Sequence, residues 1–334
     1  YRTAMARRLY RRAEVAGRIA LPAVPSMIDE YVTMCDSVFR GIGVSFSDED
    51  LSKLRGILAN ELATAFAASP RSEIIITYEC PAGFVVNYHV KAQWYSLEAE
   101  YEKWLALRKP PFFGTDPDAR VLTLALEAQA PETFPILDVG AGTGRNTLPL
   151  ARRGHSVDAV ELTARFADMI RDEAKRESLN IRVLQQDIFD STALLRQDYQ
   201  LVILSEVVTD FRTTEQLRSV FKLATESLAT GGHLVLNAFL TKDGYIPDGA
   251  AREFGQQCYS AIFTRLEFAA AAEGLSLDLE SDESACDFEK ANLPPDAWPP
   301  TNWYESWANG QDVFDLEREM SPVELRWLVY RKVD

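Results

Sequence analysis

The chain has 334 residues, of which 47% are hydrophobic and 25% are charged, and its formal net charge is −15 at pH 7. This composition is that of a globular protein and argues against a disordered chain, while the length predicts two domains at about 150 residues each. The negative charge disfavours binding to nucleic acid, because phosphate groups would be repelled. The unbroken apolar stretches are only as long as strands, so we expect no membrane span.

The cysteines suggest neither a disulfide framework nor a metal site. They lie far apart, without a CxxC pair, at Cys35, Cys80, Cys258 and Cys286. The sequence also lacks an HExxH motif and a carboxylate-rich calcium loop, so we expect no metal. Because scattered free thiols fit a reducing compartment, we expect a cytoplasmic protein, with its oligomeric state left open.

Residues 1–18 have the composition of a basic amphipathic helix. They contain six arginines and one acid, Glu14, with apolar residues at helical spacing. We expect this helix to pack on the acidic body of the protein. The alternatives are contact with a membrane surface and the remnant of a transit segment.

The following residues predict a small α+β lobe. Apolar residues at steps of three and four indicate helices, and β-branched and aromatic runs on both sides of Cys80–Gly83 indicate a hairpin. The predicted elements are helices at about 26–40, 48–68 (capped by Ser47) and 97–107, and strands at about 73–78 and 84–94. A proline- and glycine-containing stretch at 109–117 then marks a linker, so we divide the chain into domains 1–114 and 115–334.

The second domain alternates apolar strands with amphipathic helices. The strands are expected at about 135–139, 156–161, 181–185, 199–204, 233–239, 275–280 and 324–331. The helices are expected at about 119–128, 144–153, 163–177, 213–229 (ended by Gly231-Gly232) and 256–273. Such alternation is typical of βαβ units, so we predict an α/β fold with a mostly parallel, Rossmann-like sheet.

A glycine-rich turn follows the first of these strands. The residues from Asp138 to Thr147 read DVGAGTGRNT, which predicts a strand end, a turn and a helix start. Glycines allow a ligand to approach the backbone closely, and the helix start supplies free amide groups. A dinucleotide site would have the spacing GxGxxG, but Arg145 stands at the third glycine position, and Asp138 would repel a pyrophosphate. The turn therefore favours a cationic or zwitterionic ligand over NAD.

The segment Asp138–Gly144 resembles the first motif of class I S-adenosylmethionine-dependent methyltransferases. The following residues, up to Val157, are similar to the tellurite-resistance TehB-like branch of this family, and the resemblance extends over about 134–240. It implies a seven-stranded, mostly parallel sheet, S-adenosylmethionine as cofactor and an enzyme that transfers methyl groups. The lobe at 1–114 is then expected to cover the acceptor pocket.

The resemblance also implies roles for residues at the carboxyl ends of the strands, where an open α/β sheet binds ligands. Glu161 would bind the ribose hydroxyls, Asp187 the adenine amino group, and Ser205 with Glu206 would face the methionine amino group. The full set of cofactor-binding residues is Asp138, Gly140, Gly142, Gly144, Glu161, Leu162, Asp187, Ile188 and Ser205. The alternative roles are helix capping for Asp138 and solvated loop carboxylates for the other acids.

Methyl transfer needs alignment of the two reactants more than a dedicated triad, but a protonated acceptor needs a base. The candidate catalytic residues are Glu206, Asp210 and Tyr245, which follow strands at the ligand edge, and His89 on the hairpin. Their alternative role is ordinary loop surface. The other two histidines, His155 and His233, begin strands at the opposite edge and are expected to be structural.

An acidic, tryptophan-rich insertion at about 281–320 is the candidate acceptor side. Trp303 and Tyr304, with Trp298 and Trp307, could hold an alkylammonium group by cation–π attraction, or they could form a packed hydrophobic patch. We predict methyl transfer to a small-molecule amine, thiol or hydroxyl, including a cationic one. The alternatives are an NAD-dependent oxidoreductase and a non-catalytic S-adenosylmethionine-binding protein.

Overall fold

The computed structural model describes residues 1–10, 12, 14–81, 85–96, 99–101, 105–106, 112–190, 192–242 and 244–334. The chain forms two compact units. The first unit comprises 1–100 and 248–258, and the second unit comprises 101–247 and 259–334. The main segment of the first unit ends at residue 100, before the predicted boundary near residue 114, and a short segment far along the chain also belongs to this unit.

Helices and strands are numbered along the chain. The helices are α1 (Arg2–Tyr10), α2 (Ile28–Gly41), α3 (Asp48–Ala68), α4 (Ala119–Ala125), α5 (Thr147–Arg152), α6 (Ala164–Glu177), α7 (Thr214–Ser227), α8 (Gly249–Gln257), α9 (Arg265–Ala272), α10 (Ala285–Asn292) and α11 (Tyr304–Ala308). The strands are β1 (Val15–Pro22), β2 (Glu73–Cys80), β3 (Asn87–Gln93), β4 (Ile136–Val139), β5 (Val157–Glu161), β6 (Ile181–Gln185), β7 (Tyr199–Leu204), β8 (Leu228–Thr241), β9 (Ile262–Phe263), β10 (Leu277–Ser284) and β11 (Val323–Lys332). Among the described residues, no helix combines the length and apolar composition needed to cross a bilayer.

The first unit is built on an antiparallel sheet in the order β1-β2-β3. Helix α3 begins at the predicted cap, where the Ser47 hydroxyl accepts a hydrogen bond from the Asp50 amide and the Asp50 carboxylate accepts one from the Ser47 amide. The predicted helix over 1–18 is confirmed for Arg2–Tyr10 and is wrong for residues 15–18. Residues 15–22 instead pair along their whole length with β2, because their apolar side chains also fit the two-residue period of a strand.

The second unit contains one sheet in the order β10-β11-β8-β7-β4-β5-β6, and β9 pairs with β8. Strands β4 to β8 run parallel to one another, whereas β11 is antiparallel to both β8 and β10. The predicted mostly parallel α/β sheet is therefore confirmed, and among the described residues β9 adds an eighth strand to the seven predicted. We call the edge at which β4 to β8 end the carboxyl edge.

Two predicted features of the second unit are wrong. Gly231-Gly232 do not end a helix but lie inside β8, where a Cβ on Gly232 would come within 2.9 Å of the Tyr199 carbonyl oxygen. The predicted helix over 256–273 is interrupted by β9, and α9 begins after it at Arg265, where Thr264 and Glu267 form a capping box. The pairing of β9 with β8 outweighs the local helical pattern of the sequence here.

The predicted turn residues 82–83 and helix stop at 109–111 lie outside the described residues.

A buried carboxylate joins three elements of the second unit. Glu289 on α10 accepts hydrogen bonds from the amides of Ala119 (2.7 Å) and Arg120 (3.1 Å), at the start of α4. It also accepts one from the indole nitrogen of Trp327 on β11, at 3.0 Å. Because the first amides of a helix lack partners within the helix, Glu289 replaces a local cap.

Removing this carboxylate should destabilise the second unit. We expect Glu289→Ala to lower the free energy of unfolding by about 1 to 3 kcal/mol, since it leaves buried N–H groups without partners. Thermal denaturation followed by circular dichroism measures this loss. The control is Glu305→Ala, which removes an exposed acid paired with Lys290 at 3.1 Å and should have little effect. Equal loss in both variants would contradict the capping role.

Candidate functional site

The glycine loop, residues 140–146, connects the end of β4 to the start of α5. Gly140, Gly142 and Gly144 have φ values of +67°, +55° and +88°, which favour glycine. A Cβ on Gly140 would lie 2.4 Å from Val207 Cγ2, and one on Gly144 would lie 2.9 Å from Leu148 Cγ. The loop is therefore packed closely against the carboxyl edge, and Gly144 allows close packing of the following helix.

Asp138 is the predicted acid at the end of β4. Its side chain is buried, with 2% of the residue exposed, and it accepts a hydrogen bond from the Thr147 hydroxyl at 2.5 Å. Burial raises the pKa of Asp138 to about 7. This hydrogen bond links the end of β4 to the start of α5, so Asp138 stabilises the two ends of the glycine loop.

Glu161, at the end of β5, is fixed by two backbone groups. Its Oε2 atom accepts a hydrogen bond from the Gly142 amide at 2.8 Å, and its Oε1 atom accepts one from the Thr163 amide at 2.7 Å. Each carboxylate oxygen can accept a further hydrogen bond. The geometry suits recognition of a pair of hydroxyl groups, and the exposed Leu162 follows directly.

Asp187 lies just after β6, also at the carboxyl edge. Its carboxylate is exposed and accepts a hydrogen bond from the Phe189 amide at 3.0 Å. Ile188 beside it is buried in the core of the second unit. The structure thus places Asp187 and Glu161 after neighbouring strands, as the sequence predicted.

A buried ion-pair network lies at the ends of β4 and β7. The Arg145 guanidinium binds the Asp118 carboxylate and, at 3.0 Å, the Glu206 carboxylate. Asp118 also accepts hydrogen bonds from the Ser205 hydroxyl at 2.6 Å and from the Asn146 side-chain amide at 2.8 Å. Asp118 was not among the predicted site residues, because an acid directly before a predicted helix indicates only a cap.

Glu206 has a strained backbone. Its φ of +59° lies in the left-handed region, which is uncommon for residues other than glycine. Its amide donates to the Asn237 side-chain oxygen at 2.7 Å, and its carbonyl accepts from the Thr209 hydroxyl at 3.0 Å. Because strain of this kind clusters at functional sites, we retain Glu206 as a candidate catalytic residue.

The other three candidate catalytic residues, Asp210, Tyr245 and His89, lie on different elements of the chain. The Asp210 carboxylate accepts a 3.5 Å hydrogen bond from the Tyr101 hydroxyl, and the Tyr245 ring packs edge-on against Phe314. His89 lies on β3 of the first unit.

The two histidines expected to be structural both have polar partners. His155 Nδ1 lies 3.0 Å from the Phe134 carbonyl oxygen, and His233 Nε2 lies 3.1 Å from the Glu280 carboxylate. His155 precedes β5 and His233 lies in the first half of β8, so both residues are away from the carboxyl edge.

The aromatic cluster belongs partly to the core. Trp307 is buried, donates to the Tyr259 carbonyl at 3.2 Å and packs edge-on against Phe239 near the end of β8, with ring centroids 5.1 Å apart. Trp303 is half-buried, with its ring centroid 5.5 Å from that of Trp307. Trp307 therefore belongs to a packed hydrophobic patch, which was the alternative to a cation site. Its contact with Phe239 also places α11 at the carboxyl edge.

The site residues fit S-adenosylmethionine better than a dinucleotide. The charge of Arg145 is already neutralised by Asp118 and Glu206, so this cation at the glycine loop is not available to a diphosphate. Carboxylates surround the same point, which favours a positively charged sulfur. The carboxylate of Glu161 matches a ribose diol. These residues would hold the nucleoside and the sulfonium end of the cofactor.

The network makes the stability of the folded state depend on pH. Burial raises the pKa of Glu206 to about 7, with further contributions from Asp118 and Asp210 and an opposing one from Arg145. The ordinary pKa of a glutamate is 4.5. Between these values the folded protein keeps a proton that the unfolded chain loses, so Glu206 stabilises the folded state less as pH rises.

We expect Glu206→Gln to raise the melting temperature more at pH 8 than at pH 5, by about 2 to 4 °C. Glutamine keeps the shape of the side chain and its hydrogen bond to Arg145 but cannot ionise. Differential scanning calorimetry at the two pH values measures the effect. Glu305→Gln, in the exposed pair with Lys290, is the control and should show no pH-dependent difference. A gain that is equal at both pH values would refute the assignment.

Comparison with known proteins relates part of the second unit to methyltransferases. Residues 136–232 match the family model described as a methyltransferase domain. The chain is 27% identical over 150 residues to the probable S-adenosyl-L-methionine-dependent methyltransferase TehB of Haemophilus influenzae (strain 10810). This alignment covers 45% of this chain and 51% of that protein. The chain is also 31% identical over 102 residues to the probable non-canonical nonribosomal peptide synthetase CymA of Salinispora arenicola (strain CNS-205). This alignment covers 30% of this chain and 1% of that protein.

The chain therefore spans about half the length of TehB and only a small part of CymA. Among solved structures, the chain is similar to geranyl diphosphate C-methyltransferase from Streptomyces coelicolor A3(2), in complex with Mg²⁺, geranyl diphosphate and S-adenosyl-L-homocysteine. The TM-score is 0.51 at 17% identity, over 64% of this chain and 78% of that one. This likeness shows a shared fold. The second unit therefore shares its fold with this methyltransferase, and residues 136–232 within it match the methyltransferase-domain model.

Proposed function

We propose that the protein transfers a methyl group from S-adenosylmethionine to a small-molecule acceptor with an amine, thiol or hydroxyl group. The observation that carries this proposal is the double backbone anchoring of Glu161, at 2.8 Å from the Gly142 amide and 2.7 Å from the Thr163 amide. It couples the glycine loop to a fixed carboxylate at the end of the next strand. The net charge of −15 favours a small molecule over nucleic acid as the acceptor.

The cofactor supplies, when bound, a methyl group activated by a positively charged sulfur. The residues of this chain then have three tasks: to bind the nucleoside, to exclude water and to align the acceptor. Glu161 and the glycine loop serve the first. Glu206, whose pKa burial raises to about 7, can accept a proton from the acceptor near neutral pH. In-line displacement needs no further covalent chemistry from the protein.

An NAD-dependent oxidoreductase is the competing enzyme class. The neutralised Arg145 and the acid at position 138 argue against it, because neither helps to bind a diphosphate. Isothermal titration calorimetry with S-adenosylmethionine, S-adenosylhomocysteine and NAD separates the two. Binding of the first two ligands and not of NAD is the expected result, and the reverse would overturn the proposal. Binding without turnover of any acceptor would favour a non-catalytic cofactor-binding protein.

Glu161→Gln should weaken S-adenosylmethionine binding by about 10- to 100-fold, because the new NH₂ group would face a backbone amide and lose a charge-assisted hydrogen bond. Calorimetric titration gives the affinity, and the melting temperature reports whether the variant is folded. Glu127→Gln, an exposed acid after α4, is the matched control and should bind normally. Unchanged affinity in Glu161→Gln would show that this carboxylate does not contact the cofactor.

A further inference from the structure

The Tyr304 hydroxyl is buried without a hydrogen-bond partner among the described residues. Only 3% of this residue is exposed, at the first position of α11. Buried hydroxyl groups in native proteins normally have partners, so an unpaired one needs an explanation. A bound molecule that supplies the missing hydrogen bond is one such explanation.

The surroundings of this hydroxyl indicate where such a molecule would lie. Burial raises the pKa of Tyr304 well above its usual range, and so do the carboxylates of Glu289, Asp118 and Glu206, while Arg145 opposes them. Trp307 of the same helix packs against Phe239 of β8, and Asn237 of β8 accepts a hydrogen bond from the Glu206 amide, so α11 lies beside the network at the end of β7. All of these residues belong to the second unit.

Aromatic rings adjoin the Tyr304 ring. The Trp298 ring lies edge-on to it with centroids 5.8 Å apart, and the Trp307 centroid lies at 6.0 Å. The half-buried Trp303 follows at 6.5 Å. Aromatic faces attract organic cations as well as apolar groups.

Glu206 retains capacity to bind a partner, unlike the carboxylates of Glu289 and Asp118. Glu289 already accepts from two backbone amides and an indole, and Asp118 from Arg145, Asn146 and Ser205. Glu206 accepts from Arg145 through Oε1, and no described residue donates to its Oε2 atom. About a fifth of its side chain, 21%, is exposed.

The charge balance selects the kind of molecule. The carboxylates of Asp118, Glu206, Asp210 and Glu289 act on this region, whereas Arg145 is the cation that acts on both Glu206 and Tyr304. Such an excess of acids attracts a cation and repels a carboxylate or phosphate. A neutral alcohol or thiol would leave the excess uncompensated.

We infer that the methyl acceptor is a protonated amine, bound between the Glu206 carboxylate and the Tyr304 hydroxyl with the tryptophan rings beside it. This inference rests on the proposed function and narrows its acceptor class. The ammonium donates hydrogen bonds to Glu206 Oε2 and to the Tyr304 oxygen. Tyr304 is the residue that positions the nitrogen.

The reaction balances with groups already named. The ammonium first gives one proton to Glu206, which frees the nitrogen lone pair. The nitrogen then forms a bond to the methyl carbon, and the electron pair of the broken carbon–sulfur bond goes to sulfur, which becomes neutral. The product is the N-methylated ammonium, and the proton on Glu206 leaves to water.

The test measures binding with matched probes and does not depend on turnover. 2-Phenylethylamine, 2-phenylethanol and 3-phenylpropanoate, and the corresponding butyl series, are titrated calorimetrically into the full chain saturated with S-adenosylhomocysteine. At pH 8 we expect each amine to bind at least about tenfold more tightly than its alcohol, and the carboxylates not to bind. The preference for the amine should shrink as the pH is lowered from 8 to 6, because the raised pKa of Glu206 favours its neutral form at the lower pH.

Two variants locate the effect. Tyr304→Phe keeps the buried ring and should weaken amine binding about tenfold, and Glu206→Gln should remove both the preference for the amine and its pH dependence. Tyr304→Phe should bind S-adenosylhomocysteine within about twofold of the wild type. The control, Glu305→Gln, removes an exposed acid in the same insertion and should change nothing.

Several results would overturn the inference. They are alcohols that bind as tightly as amines, amines that do not bind at all, and unchanged amine affinity in Tyr304→Phe. If Glu206→Gln lost affinity for S-adenosylhomocysteine and kept the amine preference, Glu206 would belong to the cofactor site. Failure of the wild type to bind S-adenosylhomocysteine would instead reject the proposed function, so the two failures can be told apart.

Discussion

The guanidinium of Arg145 lies buried between the carboxylates of Asp118 and Glu206, and the organisation of the carboxyl edge depends on this pairing. A buried charge is costly unless partners surround it, and here they come from two separate segments. Asp118 precedes α4 and Glu206 follows β7. The pairing therefore holds the glycine loop, the start of α4 and the end of β7 at one point.

The same network sets the electrostatics of the site. With Arg145 fully used, the nearby acids remain in excess, and burial raises the pKa values of Glu206 and Glu289 to about 7. A carboxyl group of this kind can exchange a proton near neutral pH. A bound cation would lower these pKa values, and the ionised carboxylates would attract it, so the site is suited to a positively charged ligand.

The insertion after β10 completes this edge of the sheet. Helix α10 contributes Glu289, which caps α4 and contacts β11 through Trp327. Helix α11 contributes Trp307, which packs on β8, and Tyr304, whose hydroxyl is unpaired among the described residues. A segment rich in acids and tryptophans thus has two roles, since some of its side chains support the core and others remain available to a ligand.

The sequence by itself determined the parallel sheet, the glycine loop and the strand-end positions of Glu161, Asp187 and Ser205. These follow from local periodicity and from the rule that parallel strands end at one edge. The tertiary structure decided the rest. Asp118 meets Ser205 across 87 residues of chain, and Glu289 meets Ala119 across 170. Contacts at such separations leave no periodic signal, because only the folded chain brings the two segments together.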